Sequence, residues 1–136
     1  MTVNNVGDPQ CVAEERFERI PELVNGDDNL IRRGRRLTSE FLVVVGGATY
    51  HLTVSDGRLV RLERGPMLMR SWRFAIRAEA PIWLRFWEPV PEAGYHDLFA
   101  LSKQGLLTIE GDLFPFMANL QYVKDVLAAP RKILEA

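Results

Sequence analysis

The sequence predicts an α+β domain in which helices pack on one face of a single β-sheet. Short apolar runs separated by two glycine-containing turns fill residues 37–64, which is typical of an antiparallel meander. From residue 79 the spacing of apolar side chains becomes helical, and a later strand at 106–110 leads straight into a last helix. The chain has 136 residues, of which 47% are hydrophobic and 26% charged, enough for one domain with its own core.

The N-terminal part is predicted to hold a loose polar segment, residues 1–10, and then one helix. This helix starts after Pro9, carries its apolar residues on one stripe and ends at the Asn25-Gly26 pair. We therefore divide the chain into an N-terminal tail and helix, 1–36, and a domain, 37–130, which together form one globular unit.

Four strands are predicted before residue 79. The run FLVVV is apolar on both faces, as in a strand that is covered on both sides. The next strand alternates and puts His51 on its solvated face, and the Asp56-Gly57 turn leads into a third. The segment SWRFAIRA alternates as well, so one of its faces is buried. The predicted strands are 41–45, 49–54, 58–64 and 71–78.

Three helices are predicted after residue 79. The first lies in the aromatic segment EAPIWLRFWEPV and is ended by Pro89 and Pro91. The second covers 96–104 with Asp97 as its N-cap, and the third covers about 113–128 with Asp112 as its N-cap. The side chains expected to face inward from this last helix are Leu113, Phe116, Met117, Leu120, Val123 and Leu127.

Composition and motifs exclude several classes of function. The net charge of −1 gives no overall attraction to nucleic acid or to an anionic membrane. One cysteine, Cys11, and two histidines, His51 and His96, are too few for a metal centre, so no metal and no cofactor is expected. The chain contains no secretory signal, no apolar run of membrane-spanning length and no catalytic motif. We expect a cytoplasmic protein that is not an enzyme.

Three motifs in this order resemble the sterol carrier protein 2 (SCP2) family of lipid-transfer domains. They are the Asp56-Gly57 turn before RLVRLERG, the strand WRFAIRA followed by a short helix with Trp83, and the strand GLLTIEGDL before the final helix. The resemblance covers about 37–127 and implies a five-stranded mixed sheet, with an apolar tunnel between sheet and helices that holds acyl chains, sterols or other lipids. The segment 88–97 is longer and richer in proline than the corresponding link of the family.

The aromatic and aliphatic residues of this region are the candidate ligand-binding residues. They have two interpretations, because such side chains form an ordinary core as readily as the wall of an apolar pocket. The resemblance favours the pocket. The candidates are Trp72, Phe74, Ile76, Trp83, Phe86, Trp87, Phe99, Leu107, Ile109, Phe114, Phe116, Met117 and Leu120.

The segment IRRGRRL concentrates four arginines: Arg32, Arg33, Arg35 and Arg36. They form either a solvated turn before the first strand or a contact for phosphate, since a guanidinium pairs bidentately with phosphate. The phosphate would belong to an anionic membrane, contacted transiently, or to coenzyme A. No aromatic residues alternate with these arginines, so nucleic acid is not an expected partner.

The function expected from the resemblance is non-catalytic binding or transfer of a hydrophobic ligand, either a fatty acyl chain, an acyl-CoA or a sterol-like lipid. One alternative is a small enzyme that uses Glu79 or His96 as an acid or base beside the pocket. Another is an interaction subunit whose aromatic face, around Trp83, docks on a second protein. The oligomeric state and the identity of the ligand stay open at this stage.

Overall fold

The computed structural model describes residues 8–65 and 71–135. The strands are β1 (Ser39–Val45), β2 (Ala48–Ser55), β3 (Arg58–Arg64), β4 (Phe74–Ala78) and β5 (Leu107–Gly111). The helices are α1 (Pro9–Phe17), α2 (Ile20–Asn25), α3 (Asp28–Arg33), α4 (Ala80–Phe86), α5 (Leu98–Lys103), α6 (Leu113–Ala118), α7 (Leu120–Ala128) and α8 (Arg131–Glu135).

The five strands form one mixed sheet in the order β3-β2-β1-β4-β5. β1 and β4 are parallel, whereas the other neighbouring pairs are antiparallel. The α+β fold class predicted from the sequence is confirmed. The register brings the beginnings of β1 and β4, the ends of β2 and β5 and the Asp56-Gly57 turn to one end of the sheet. We call this the Ser39 end.

The core lies between the helices and one face of the sheet. Phe41 and Phe74 stack there across the parallel pair of strands, with ring centroids 4.6 Å apart. Both indole N–H groups of the aromatic helix region find backbone acceptors, because Trp83 donates to the carbonyl of Val44 at 3.0 Å and Trp87 to that of Leu127 at 2.7 Å. The indoles therefore fasten α4 to the sheet and to α7 without leaving a buried donor unpaired.

The prediction of a solvated face at His51 is wrong. The side chain of His51 is fully buried on the sheet face opposite the core. Its Nε2 lies 3.1 Å from Glu40 Oε1 and 3.0 Å from the carbonyl oxygen of Ser71. The alternation along β2 correctly assigns its residues to two faces of the sheet. The face that was predicted to be solvated is buried at His51 by these long-range contacts.

Two helices that the sequence predicts as continuous are interrupted. The N-terminal helix breaks after Phe17, since Pro21 has no N–H to donate to the carbonyl of that residue and instead occupies the first turn of α2. The last helix breaks at Asn119, whose φ of −127° and ψ of 35° are not helical. Helices α3 and α8 were not predicted, and of the predicted loose segment 1–10 residues 1–7 lie outside the described residues.

Tyr122 of α7 fixes the helices to the Ser39 end of the sheet. Its hydroxyl donates to the carbonyl of Gly57 at 2.6 Å, and burial raises its pKa to about 12, so the phenol keeps its proton. A Cβ placed on Gly34 would lie 2.4 Å from the Tyr122 ring, so the backbone after α3 lies against the ring face. Arg33 is also ion-paired with Asp125. These contacts hold α3, α7 and the β2–β3 turn together.

Gly34→Ala should therefore lower the free energy of unfolding by about 1–3 kcal/mol, because the added methyl overpacks the Tyr122 ring. Gly47→Ala is the matched control: a Cβ there meets nothing within 4 Å, and the change should stay within about 0.5 kcal/mol. Urea unfolding of both variants checks this. Equal losses would contradict the close packing of Gly34 on Tyr122.

Candidate functional site

Helix α6 is unusual among the described helices because all six of its residues are apolar. It begins at the Ser39 end, where Asp112 accepts the backbone N–H of Phe114 at 3.2 Å and pairs with Arg73 at 3.1 Å. These two interactions, the backbone hydrogen bond first, lower the pKa of the Asp112 carboxyl. Gly111, with φ of 100°, makes the turn into the helix, and a Cβ there would lie 2.7 Å from the carbonyl of Arg73.

Helix α6 is apolar on its inner and its outer face. Phe116 is 1% exposed and lies between two rings, with its centroid 5.5 Å from that of Phe74 and 5.9 Å from that of Phe99. Phe114 is 77% exposed and Met117 is 52% exposed. With 3.6 residues per turn, Phe114 and Phe116 lie roughly 160° apart around the helix, so one sheet cannot cover both. Bulky apolar side chains that a soluble domain exposes together usually mark an interaction or ligand-binding site.

Asn119 separates α6 from the firmly anchored α7. Its backbone N–H donates to the carbonyl of Phe116 at 3.3 Å, and its side-chain amide donates to the carbonyl of Pro115 at 3.2 Å. These two hydrogen bonds close the last turn of α6. Helix α7 then begins at Leu120. Helix α6 is therefore a six-residue segment with a non-helical joint at each end, Gly111 and Asn119.

The thirteen predicted ligand-binding residues occupy three environments. Half-buried positions are taken by Ile109 and Leu120. Exposed positions are taken by Trp72, Phe99, Phe114 and Met117. Buried positions, closely packed in the core, are taken by Phe74, Ile76, Trp83, Phe86, Trp87, Leu107 and Phe116.

Three of the predicted orientations are wrong. Leu113, at the start of α6, does not face inward but is 41% exposed. Met117 does not face inward, because it lies roughly 100° around the helix from Phe116, which takes the inner position. Trp83 is fully buried and donates to a backbone carbonyl, so it cannot be the centre of an aromatic docking face. The half-exposed tryptophan is Trp72, next to Gly111, and it lines a cavity of about 230 Å³ with Glu40 and Arg73 at the Ser39 end.

The predicted arginine cluster divides into paired and unpaired side chains. Arg33 is ion-paired with Asp125, and Arg35 donates to the carbonyl of Arg32 at 2.9 Å. Among the described residues, Arg32, Arg35 and Arg36 have no acidic partner, and all three are exposed.

The two predicted acid or base residues lie apart from each other. Glu79 precedes α4 at the sheet end opposite α6 and lines a cavity of about 320 Å³ with Arg77 and Thr108. His96 is exposed. The neighbouring Asp97 caps α5, as predicted, by accepting the backbone N–H of Phe99 at 3.1 Å. Within residues 8–65 and 71–135, no three His, Cys, Asp or Glu side chains are grouped as metal ligands would be.

The arrangement of sheet and helices matches known structures. It superposes on the crystal structure of sterol carrier protein 2 with a TM-score of 0.67 and 14% sequence identity, over 87% of this chain and 95% of that chain. The chain has the SCP2 fold. The resemblance drawn from its sequence motifs is thereby confirmed at the level of the fold. Compared by sequence alone, the chain matches no family model and no curated protein.

Two further structures share this SCP2 fold. One is the solution structure of a conserved hypothetical protein from Thermus thermophilus, described as a possible sterol carrier protein; the TM-score is 0.62 and the identity 14%, over 88% of this chain and 87% of that chain. The other is a UbiJ-SCP2 ubiquinone synthesis protein, with a TM-score of 0.55 and 17% identity over 92% and 93% of the two chains. In the described part of the chain, no helix is long and apolar enough to cross a membrane.

Two alanine substitutions in α6 separate its inner from its outer face. Phe116→Ala removes a ring that is packed on two others and should lower the free energy of unfolding by about 3–5 kcal/mol. Phe114→Ala, the same change two residues away, should alter it by less than about 0.5 kcal/mol because the ring is exposed. Urea unfolding measures both. Similar losses at the two positions would mean that the exposed ring is packed in solution.

Proposed function

We propose that this protein binds a hydrophobic ligand, an acyl chain or sterol-like lipid, in the space that Phe116 fills beneath α6, and that it does so without catalysis. One observation carries the proposal: α6 is apolar on both faces although the sheet can cover only one. When such a helix turns, the apolar area that Phe116 exposes is partly offset by the area that Phe114 and Met117 bury, because either orientation exposes some apolar surface.

The position of Phe116 supports an opening motion of α6. The ring is held by aromatic contacts with Phe74 and Phe99, each worth about 0.5–1.5 kcal/mol beyond the area that it buries. The joints at Gly111 and Asn119 allow the six residues of α6 to move while β5 and α7 stay in place. When Phe116 leaves, an apolar space bounded by the two remaining rings is available to a ligand.

The SCP2 fold supports the class of ligand. Two of the similar structures carry the name of a sterol carrier, and the third that of a ubiquinone synthesis protein. An apolar wall selects mainly by size and shape, so acyl chains and sterol-like lipids both suit such a space. The enzyme alternative gains no support, since Glu79 lies at the sheet end opposite α6 and His96 is exposed on the loop before α5.

A shortened side chain at Phe116 tests the site. The purified protein should bind the fluorescent fatty acid cis-parinaric acid, and Phe116→Leu should bind it several-fold more tightly, because less of the core has to be displaced before the ligand enters. The matched control is Phe17→Leu, which removes the same atoms beneath α1, where Phe17 contacts Tyr50 at 4.6 Å between centroids. Fluorescence titration of the three proteins gives the dissociation constants.

Either of two results would overturn the proposal. The first is that the wild-type protein does not bind the probe. The second is that Phe17→Leu tightens binding as much as Phe116→Leu, which would mean that general loosening of the core admits the probe. Native mass spectrometry of the protein as purified, followed by extraction, then identifies any lipid that it carries.

A further inference from the structure

Basic and apolar side chains converge on the Ser39 end. The N–H of Gly57 donates to the carbonyl of Leu37 at 3.3 Å, which brings the β2–β3 turn against the segment that carries Arg35 and Arg36. The next residue after Gly57 is Arg58, exposed and without an acidic partner among the described residues. Arg58 is not part of the arginine cluster predicted from the sequence, because it is 22 positions away from Arg36 along the chain.

Helix α6 crosses the same end. It starts after Gly111, where β5 ends. Tyr122, which follows in α7, donates a hydrogen bond to Gly57 in the β2–β3 turn, at the opposite edge of the sheet. Phe114 and Met117, the two most exposed of the bulky side chains of α6, therefore lie at the end that also carries the three arginines.

Of the three acidic side chains described at this end, one is neutralised by an arginine. Asp112 is paired with Arg73 at 3.1 Å, and Glu40 lies 3.1 Å from His51. Asp56, in the β2–β3 turn, is exposed. The protein as a whole has a net charge of −1, so attraction to an anionic surface has to come from the exposed arginines of this end.

We propose that the Ser39 end is a docking surface for anionic membranes, with Arg35, Arg36 and Arg58 on lipid phosphates and with Phe114 and Met117 in the interfacial region. Arginine suits phosphate because of its planar pair of donors. Insertion of apolar side chains, together with attraction between basic side chains and anionic lipids, gives reversible binding at the membrane interface. The inference rests on the proposed function: docking would place α6 on the bilayer, so a lipid could pass beneath it without crossing water.

Vesicle sedimentation tests the docking surface. The protein should sediment with phosphatidylcholine vesicles that contain phosphatidylserine, should remain in solution with phosphatidylcholine alone, and should be released by salt. The triple variant Arg35→Ser, Arg36→Ser and Arg58→Ser should bind roughly 100-fold more weakly, at roughly fivefold per arginine. The matched control carries Arg19→Ser, Arg77→Ser and Lys103→Ser, has the same net charge and should keep most of the binding. Phe114→Ser should weaken binding to the vesicles that contain phosphatidylserine.

Tryptophan fluorescence gives a second measurement. Trp72 is 37% exposed beside this end, whereas Trp83 and Trp87 are fully buried. Brominated lipids in vesicles that contain phosphatidylserine should quench the emission of the wild-type protein, and Trp72→Phe should remove that quenching. The docking surface is refuted if the wild-type protein does not sediment, if the control loses as much as the triple variant, or if quenching is absent. Unchanged binding by Phe114→Ser would refute the apolar contact.

Binding of cis-parinaric acid in solution separates this inference from the proposed function. The triple arginine variant should bind the probe as the wild-type protein does. Probe binding without vesicle binding would overturn the docking surface alone, and vesicle binding without probe binding would overturn the ligand site alone.

Discussion

The packing of Phe116 between Phe74 and Phe99 is the interaction on which the candidate site depends. Helix α6 has six residues, too few to be stable in water without tertiary contacts, so its position is set by this ring and by its two ends. The outer face adds nothing to this anchoring, because Phe114 is exposed. A short helix held by one ring can move once that ring leaves its site, whereas a longer helix packed along its length has to break many more contacts.

The surroundings of α6 are fixed by polar contacts of buried side chains. Tyr122 binds the carbonyl of Gly57, and Trp87 binds that of Leu127, so both halves of α7 are tied to other elements. Breaking either hydrogen bond would leave a buried carbonyl without its partner, at a cost of about 1–3 kcal/mol. The domain therefore combines a rigid frame with one weakly held helix at the Ser39 end. That difference in stability is what a binding protein needs if its ligand has to enter a closed core.

The sequence predicts the sheet better than the site. Strand β3 was predicted at 58–64 and lies there, because the Asp56-Gly57 turn and the next break mark both of its ends. The break at Asn119 could not be predicted, since asparagine is tolerated within helices and only the packing of Phe116 and Tyr122 selects two separate ones. Arg58 joins the other arginines through strand pairing, which the linear pattern does not report. The exposure of Phe114 did leave a signal: the run LFPFM is apolar at five successive positions, and no helix can bury all of its sides on one sheet.

Hydrogen exchange of individual backbone amides tests the central claim, that α6 opens while its neighbours stay closed. In the protein without ligand, the amides of residues 116–118 should exchange faster than those of residues 123–127 in α7, because a local opening precedes global unfolding. Saturating palmitate should slow exchange at 116–118 and leave 123–127 nearly unchanged. The account would be contradicted by equal rates in the two helices with the same dependence on denaturant, or by palmitate binding that leaves residues 116–118 unaffected.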